Sequence, residues 1–98
     1  MLHRIWWQGV RSAPSDEGYS VRLRGLKYGL EYREGDRVAQ ICVETAAVEV
    51  DWIIYILPPI AWLPPHQHEP ISEQKRLQIR KRIVAALDFL KIKYRLAE

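Results

Sequence analysis

Two histidines one residue apart are the residues of this chain whose type and spacing most directly suggest chemistry. They lie in the stretch WLPPHQHEPIS, residues 62–72. On an extended chain His66 and His68 would point to the same side, a geometry that zinc sites use. A stable zinc site needs three or four protein ligands, and the other candidates, without a characteristic spacing, are His3, Cys42 and Glu69. The sequence therefore predicts no metal site and no cofactor.

A pair of carboxylates is the second candidate for chemistry. Glu49 and Asp51 lie two residues apart on a predicted strand and so share one face, with Glu44 nearby in the sequence. Such a pair could act as a general acid and base or hold a cation, but it is also typical of a solvated strand edge. Because no histidine or glycine loop accompanies the pair, we favour the solvated alternative.

The sequence motifs of common enzyme classes are absent. None of the five glycines lies directly before the predicted helix, so there is no glycine-rich phosphate loop, and no G-x-S-x-G nucleophile motif occurs. Cys42 lies in the apolar segment RVAQICVE, where we expect a small, buried and unreactive thiol. The sequence therefore predicts that the chain is not an enzyme.

Length and composition point to one domain in a reducing compartment. A chain of 98 residues with 48% apolar content can form one core and is too short for two, so we expect a single domain over residues 1–98. The one cysteine cannot form an intramolecular disulfide. The longest apolar run, WIIYILPPIAWL, contains two prolines and falls short of the roughly 20 residues of a membrane-spanning helix. We therefore expect a cytoplasmic protein without a membrane segment.

The net charge of +3 is unevenly distributed along the chain. Residues 72–95 hold eight basic residues against Glu73 and Asp88, a net of +6, whereas the preceding part of the chain is slightly acidic. A basic helix raises the possibility of nucleic-acid binding, but its cations surround the helix instead of forming one stripe. We keep a small nucleic-acid-binding module, using helix 73–90, as the alternative function.

Alternation with period two predicts the strands. Residues 19–24 and 26–33 each alternate apolar and polar side chains, with Gly25 as a turn or bulge between them. The segment REGDR, residues 33–37, predicts a hairpin turn that leads into a strand over residues 38–44. Residues 48–57, VEVDWIIYIL, have the most continuous apolar face of the chain and predict a central strand that ends at the following prolines.

The segment 73–90 has helical periodicity instead. Its apolar stripe consists of Ile79, Ile83, Ala86, Leu87 and Leu90. Ser72 is the expected N-cap, with Glu73 at the positive end of the helix dipole. The alternating residues 92–96 predict a short last strand. The expected fold class is α+β, with an antiparallel meander of four to five strands and one long C-terminal helix packed on one face.

Three stretches of the chain are similar to a known family. EYREGDRVAQICVE, VDWIIYILPPIAWLPP and EPISEQKRLQIRKRIVAALDFLKIKYRL together resemble the immunity protein 74 family of bacterial polymorphic-toxin systems, over about residues 29–96. One departure is visible, because Lys91 stands where we would expect a glycine as helix C-cap. The resemblance implies a non-enzymatic α+β protein that binds a cognate toxin domain and blocks it in the bacterial cytoplasm.

Two groups of residues are candidates for contacting such a partner. Trp62 either seals the edge of the core or offers an aromatic anchor, and it belongs to a stiff proline-rich segment whose rigidity lowers the ordering cost of binding. The first group of predicted partner contacts is Trp62, His66 and His68. The second group, at the acidic end of the sheet, is Glu44, Glu49 and Asp51.

Overall fold

The alternating segments form two small sheets against which one helix packs. The fold comes from a computed structural model, which describes residues 12–15, 18–25, 27–45, 52–56 and 60–97. The elements in chain order are β1 (Ser12–Pro14), β2 (Tyr19–Leu23), β3 (Leu30–Glu34), β4 (Arg37–Ile41), β5 (Val43–Glu44), β6 (Trp52–Tyr55), α1 (Glu73–Phe89) and β7 (Tyr94–Ala97). The α+β class, the helix and the short last strand are confirmed.

The first sheet is an antiparallel meander of β1 to β4. Its β3–β4 hairpin pairs Glu34 with Arg37 across a two-residue turn, as predicted, and Gly35 has a φ of 62° there. The predicted strand over residues 26–33 starts later than expected. Arg24 and Gly29 are joined by a backbone hydrogen bond of 2.9 Å, and the positive φ angles of Gly25 and Gly29 turn the chain between β2 and β3.

The second sheet begins where β4 is interrupted at Cys42. β5 pairs antiparallel with β6, and β6 pairs parallel with β7, so α1 forms the connection between two parallel strands. The interruption preserves the alternation of side chains, because Ile41 and Val43 are buried and Cys42 is exposed. The prediction that Cys42 is buried was therefore wrong, since it follows the polar face of its strand. Of the predicted strand 48–57, residues 52–55 are β6, and Glu49 and Asp51 lie outside the described residues.

The helix begins and is buried as its sequence predicts. The Ser72 hydroxyl accepts a hydrogen bond of 3.0 Å from the backbone N–H of Lys75, which is the N-cap contact. Ile79, Ile83 and Leu87 are fully buried, and each contributes about 1.5–3 kcal/mol of apolar burial. They complete a core whose other large members are Val21, Leu30, Tyr32, Ile54 and Ile56. Within the described residues, no helix is both long and apolar enough to cross a membrane.

The helix ends with a left-handed residue that is not glycine. Lys91 has a φ of 57°, and its N–H donates to the carbonyl of Asp88 at 3.1 Å. The next N–H, of Ile92, donates to the carbonyl of Leu87 at 3.1 Å. This pair of bonds is the Schellman motif, in which the residue after the C-cap takes the conformation that glycine adopts most easily. Lys91 therefore occupies the glycine position of an ordinary helix end.

Candidate functional site

The proline-rich segment, residues 60–72, lies along the edge of β4. Trp62 forms an antiparallel bridge with Ala39, and the N–H of Leu63 donates to the carbonyl of Val38 at 2.7 Å. The Trp62 ring stacks on Tyr32 with a centroid distance of 6.4 Å, and only 5% of the residue is exposed. An aromatic anchor needs an exposed face, so the structure favours the first of the two roles considered for Trp62, sealing the edge of the core.

His66 connects the proline-rich segment to the β3–β4 hairpin. Its Nδ1 contacts the carboxylate of Glu69, and its Nε2 lies 3.4 Å from the carboxylate of Asp36 in the hairpin turn. Arg37 reaches the same Glu69 through its Nε at 2.7 Å and its Nη2 at 2.6 Å. The Arg37–Glu69 ion pair and the contact of His66 with Asp36 therefore hold the segment against the hairpin, and His66 has a structural role that its sequence context did not reveal.

The charges in this contact affect one another. Hydrogen bonds from His66 and from Arg37 lower the pKa of Glu69, because both donors stabilise its ionised form. The same bond to Glu69 raises the pKa of Arg37. The contact is consequently formed by a carboxylate that stays ionised in mildly acidic solution.

The two histidines do not share one extended ribbon. The N–H of His66 bonds the carbonyl of Leu63, and the N–H of Glu69 bonds the carbonyl of His66, both at 3.0 Å. These turns, together with a cis peptide bond between Pro64 and Pro65, replace the extended backbone that we expected. The imidazole of His66 is 17% exposed, whereas His68 lies at the surface. Among the residues that the structure describes, no three His, Cys, Asp or Glu side chains come together as metal ligands.

A second charged cluster joins the helix to the first sheet. Glu34 accepts hydrogen bonds from the Tyr32 hydroxyl at 2.6 Å, from Lys75 Nζ at 2.9 Å and from Arg82 Nη1 at 2.9 Å. The Arg82 guanidinium also lies over the Tyr19 ring, 4.5 Å from its centroid. Burial of Glu34 alone would raise its pKa, but the hydrogen bonds from Tyr32 and Lys75 and the nearby cationic charges lower it. Burial raises the pKa of Tyr32, whose hydroxyl donates to this carboxylate.

An open cleft of about 400 Å³ lies between these two charged clusters. It is lined by Glu34, Arg37, Trp62, Glu69, Pro70, Ser72 and Lys75. The hairpin, the proline-rich segment and the start of α1 each contribute to its wall. Its charged side chains are already held by ion pairs, so their donors and acceptors are fixed in direction. The cleft is therefore a pre-ordered polar surface that suits recognition of a polar group.

Glu44, the one acidic candidate among the described residues, lies apart from this cleft. Glu44 is exposed in β5 and accepts a hydrogen bond of 2.8 Å from the Tyr55 hydroxyl, which raises the pKa of Tyr55. Eight residues of nearly continuous strand separate Glu44 from Asp36, or about 25 Å at the rise of an extended chain. Glu44 and the hairpin turn that His66 contacts are thus at opposite ends of the stretch formed by β4 and β5. Any single partner that used both would have to span that distance.

Sequence reasoning missed the charged residues that hold this surface in place. Glu34 follows Leu30 and Tyr32 with period two, so alternation places a carboxylate on the inward face of β3. On α1, Lys75 and Arg82 lie seven residues apart and therefore on one side of the helix. The carboxylate of Glu34 on a predicted buried face could have indicated this cluster, because a buried charge requires a partner of opposite charge.

Fold and site together define a small α+β protein with a pre-ordered polar surface between a hairpin, a proline-rich segment and a helix start. The chain matches no family model, no curated protein and no solved structure.

Proposed function

We propose that the chain is an immunity protein, which binds a cognate toxin domain in the bacterial cytoplasm and neutralises it by occlusion, without catalysis of its own. The resemblance of residues 29–96 to the immunity protein 74 family supplies the class of partner. The structural observation that supports it most is the proline-rich segment, fixed to the hairpin by Arg37 and His66. A surface that is ordered before binding loses little conformational entropy on association.

The charges on the helix favour a protein partner over a nucleic acid. Lys75 and Arg82 pair with Glu34, and Arg76 pairs with Glu73, so these three cations are already bound to carboxylates of the same chain. Binding to a phosphate backbone depends on cations that can replace condensed counterions. The cations of α1 also point in several directions around the helix and do not form a continuous phosphate-binding stripe.

Co-expression with the neighbouring toxin tests the proposal. The C-terminal domain of a toxin encoded beside this chain is expressed alone and together with the chain, and growth and co-purification are measured. We expect the chain to restore growth and to co-purify with the toxin domain. Absence of binding to any neighbour-encoded toxin domain would refute the proposal.

Two variants separate the rival functions in the same assay. Replacing both Arg80 and Lys81 by Glu should abolish binding to a DNA duplex if the chain is a nucleic-acid module, and should leave protection from the toxin intact if it is an immunity protein. The double variant Glu49→Ala with Asp51→Ala tests catalysis by this carboxylate pair, which full protection by the variant would exclude. Loss of protection in a folded double variant would indicate that these carboxylates act in catalysis or in contact with the toxin.

A further inference from the structure

The face of the first sheet that points away from α1 carries an excess of arginine. Alternation places the buried side chains of β2 and β3 toward the helix, and the opposite face presents Arg22, Arg33 and, at the end of β2, Arg24. Glu31 is the carboxylate among them, and it is paired with Arg22 in the strand register. We call this surface, together with Tyr28 and Leu63 beside it, the outer sheet face.

The positive charge of the outer sheet face is only partly neutralised. Glu31 lies 3.7 Å from Arg24 and 3.7 Å from Arg33, so a single carboxylate serves two guanidinium groups. The side chains of Arg24 and Arg33 remain 41% and 51% exposed. Within the described part of the chain, no ion pair reaches Arg22, which is also exposed. Three arginines against one carboxylate leave a net charge of +2 on this face.

Apolar side chains and a small recess lie next to these arginines. Tyr28 and Leu63 are 46% and 39% exposed, so both offer apolar surface beside the arginines. Between them is a recess of about 80 Å³, lined also by Arg24, Glu31, Val38 and Gln40. Gln40 fixes one wall, because its side-chain amide donates to the carbonyl of Tyr28 at 2.6 Å. The recess has room for one side chain of a partner.

We propose that the outer sheet face is a docking surface for an acidic protein surface that inserts one apolar side chain between Tyr28 and Leu63. This inference rests on the proposed function, and it specifies the chemistry of the toxin: its contact surface carries carboxylates. Exposed tyrosine and arginine around a small recess match the composition of the energetically dominant contacts in protein interfaces. The uncompensated arginines supply the charge complementarity.

The geometry around Tyr28 favours a protein over a nucleic acid as the occupant. Arg24 lies 4.8 Å and Lys27 lies 5.4 Å from the centroid of the Tyr28 ring, so cations already contact its faces. Single-stranded nucleic acids bind sheet faces by stacking bases on open aromatic rings. The two cations compete with a base for the Tyr28 ring, whereas the recess beside it, with both polar and apolar walls, can accept a protein side chain.

Neutralising the outer sheet face while preserving the fold tests the inference. The double variant Arg22→Gln with Arg33→Gln removes two charges without placing a new carboxylate beside Glu31. The control, Lys81→Gln with Lys93→Gln, removes the same charge from exposed positions outside this face. Affinity and association rate for the neighbour-encoded toxin domain are measured for both at low and at physiological salt. Leu63→Ala and Tyr28→Ser test the recess separately.

We expect the arginine variant to bind about tenfold or more weakly at low salt, with most of the loss in the association rate, and the lysine control to change little. Each recess variant should weaken binding roughly fivefold or more, mainly through faster dissociation. If the wild-type chain binds the toxin domain and the arginine variant binds equally well, the inference is wrong while the proposed function stands. If the wild-type chain does not bind the toxin domain, the proposed function fails, and this inference fails with it. Binding of a 20-base DNA strand that depends on Arg22 and Arg33 would identify a nucleic acid as the occupant and overturn the inference.

Discussion

Replacing Lys91 by glycine is expected to stabilise this protein. Lys91 has a φ of 57°, and an L-residue in the left-handed region is about 1–2 kcal/mol less stable there than in the right-handed helical region. Glycine removes that strain but has more freedom in the unfolded chain, which offsets roughly 0.5–1 kcal/mol. The two hydrogen bonds of the helix end use backbone atoms only and are kept. The net gain is therefore about 0.5–1 kcal/mol, or roughly 2–8 °C in Tm for a domain of this length.

The assay is urea unfolding followed by circular dichroism, with Lys81→Gly as the matched control. Lys81 is exposed in the middle of α1, where the same substitution lowers helix propensity and should destabilise by about 0.7–1 kcal/mol. The two variants make the same chemical change and should move the unfolding midpoint in opposite directions. If Lys91→Gly destabilises as much as Lys81→Gly, Lys91 is not in the left-handed region in solution, and the reasoning about the helix end is refuted.

Three further perturbations follow from contacts in the fold. Gly29→Ala should destabilise the protein by roughly 2 kcal/mol or more, because a Cβ there would overlap a backbone carbonyl of β4 and the φ is positive. Gly35→Ala is the control, because Gly35 also has a positive φ but lies in open space, and it should lose only about 1 kcal/mol in urea unfolding. Equal losses in the two variants would contradict the overlap. Glu34→Gln should lower stability at pH 7 by about 1 kcal/mol, since its ion pairs are partly screened by solvent. The pKa of Glu34 is lowered in the folded state, so its contribution exists above the ordinary carboxyl pKa and is lost as the pH falls through the folded-state pKa. Thermal melts of variant and wild type should converge as the pH falls through that range, and a difference that does not shrink on acidification would refute the assignment. Burial and a hydrogen bond to Asp88 raise the pKa of Tyr94 to about 12, so its contribution to stability is present below the ordinary tyrosine pKa of about 10 and is lost as the pH rises through the folded-state value. Tyr94→Phe should lose less stability than the wild type as the pH rises through this range. If the stability of both proteins falls equally with alkaline pH, Tyr94 does not make this contribution.

Local sequence patterns predicted most of the elements but not how they are paired. Alternation identified β2, β3 and β4, and the Ser72 cap located the first turn of α1, because each of these signals depends only on neighbouring residues. The parallel pairing of β6 with β7 was not predictable, since a strand has the same side-chain period in either direction. The split of the sheet at Cys42 was also hidden, because the alternation continues through it without a break.

The contacts of the candidate site were even less predictable from local sequence patterns than the pairing of the strands. The sequence directed attention to the proline-rich segment, but it suggested an extended ribbon and left open whether Trp62 seals the core or is an exposed anchor. The burial of Trp62 depends on Tyr32, thirty residues earlier, and the contacts of His66 depend on the β3–β4 hairpin. Both partners are brought close only when the chain returns along the edge of β4. Long-range pairing of this kind leaves no periodic trace in a single sequence.

The position of the proline-rich segment along β4 also bears on self-association. An uncovered strand edge is a template on which another copy can add a strand. Trp62 and Leu63 occupy that edge of β4, and at the other side of the sheet Pro14 in β1 has no N–H to donate. The ion pair between Arg37 and Glu69 is therefore also a safeguard against aggregation, because local opening of the segment would uncover backbone groups of β4 before the rest of the domain unfolds.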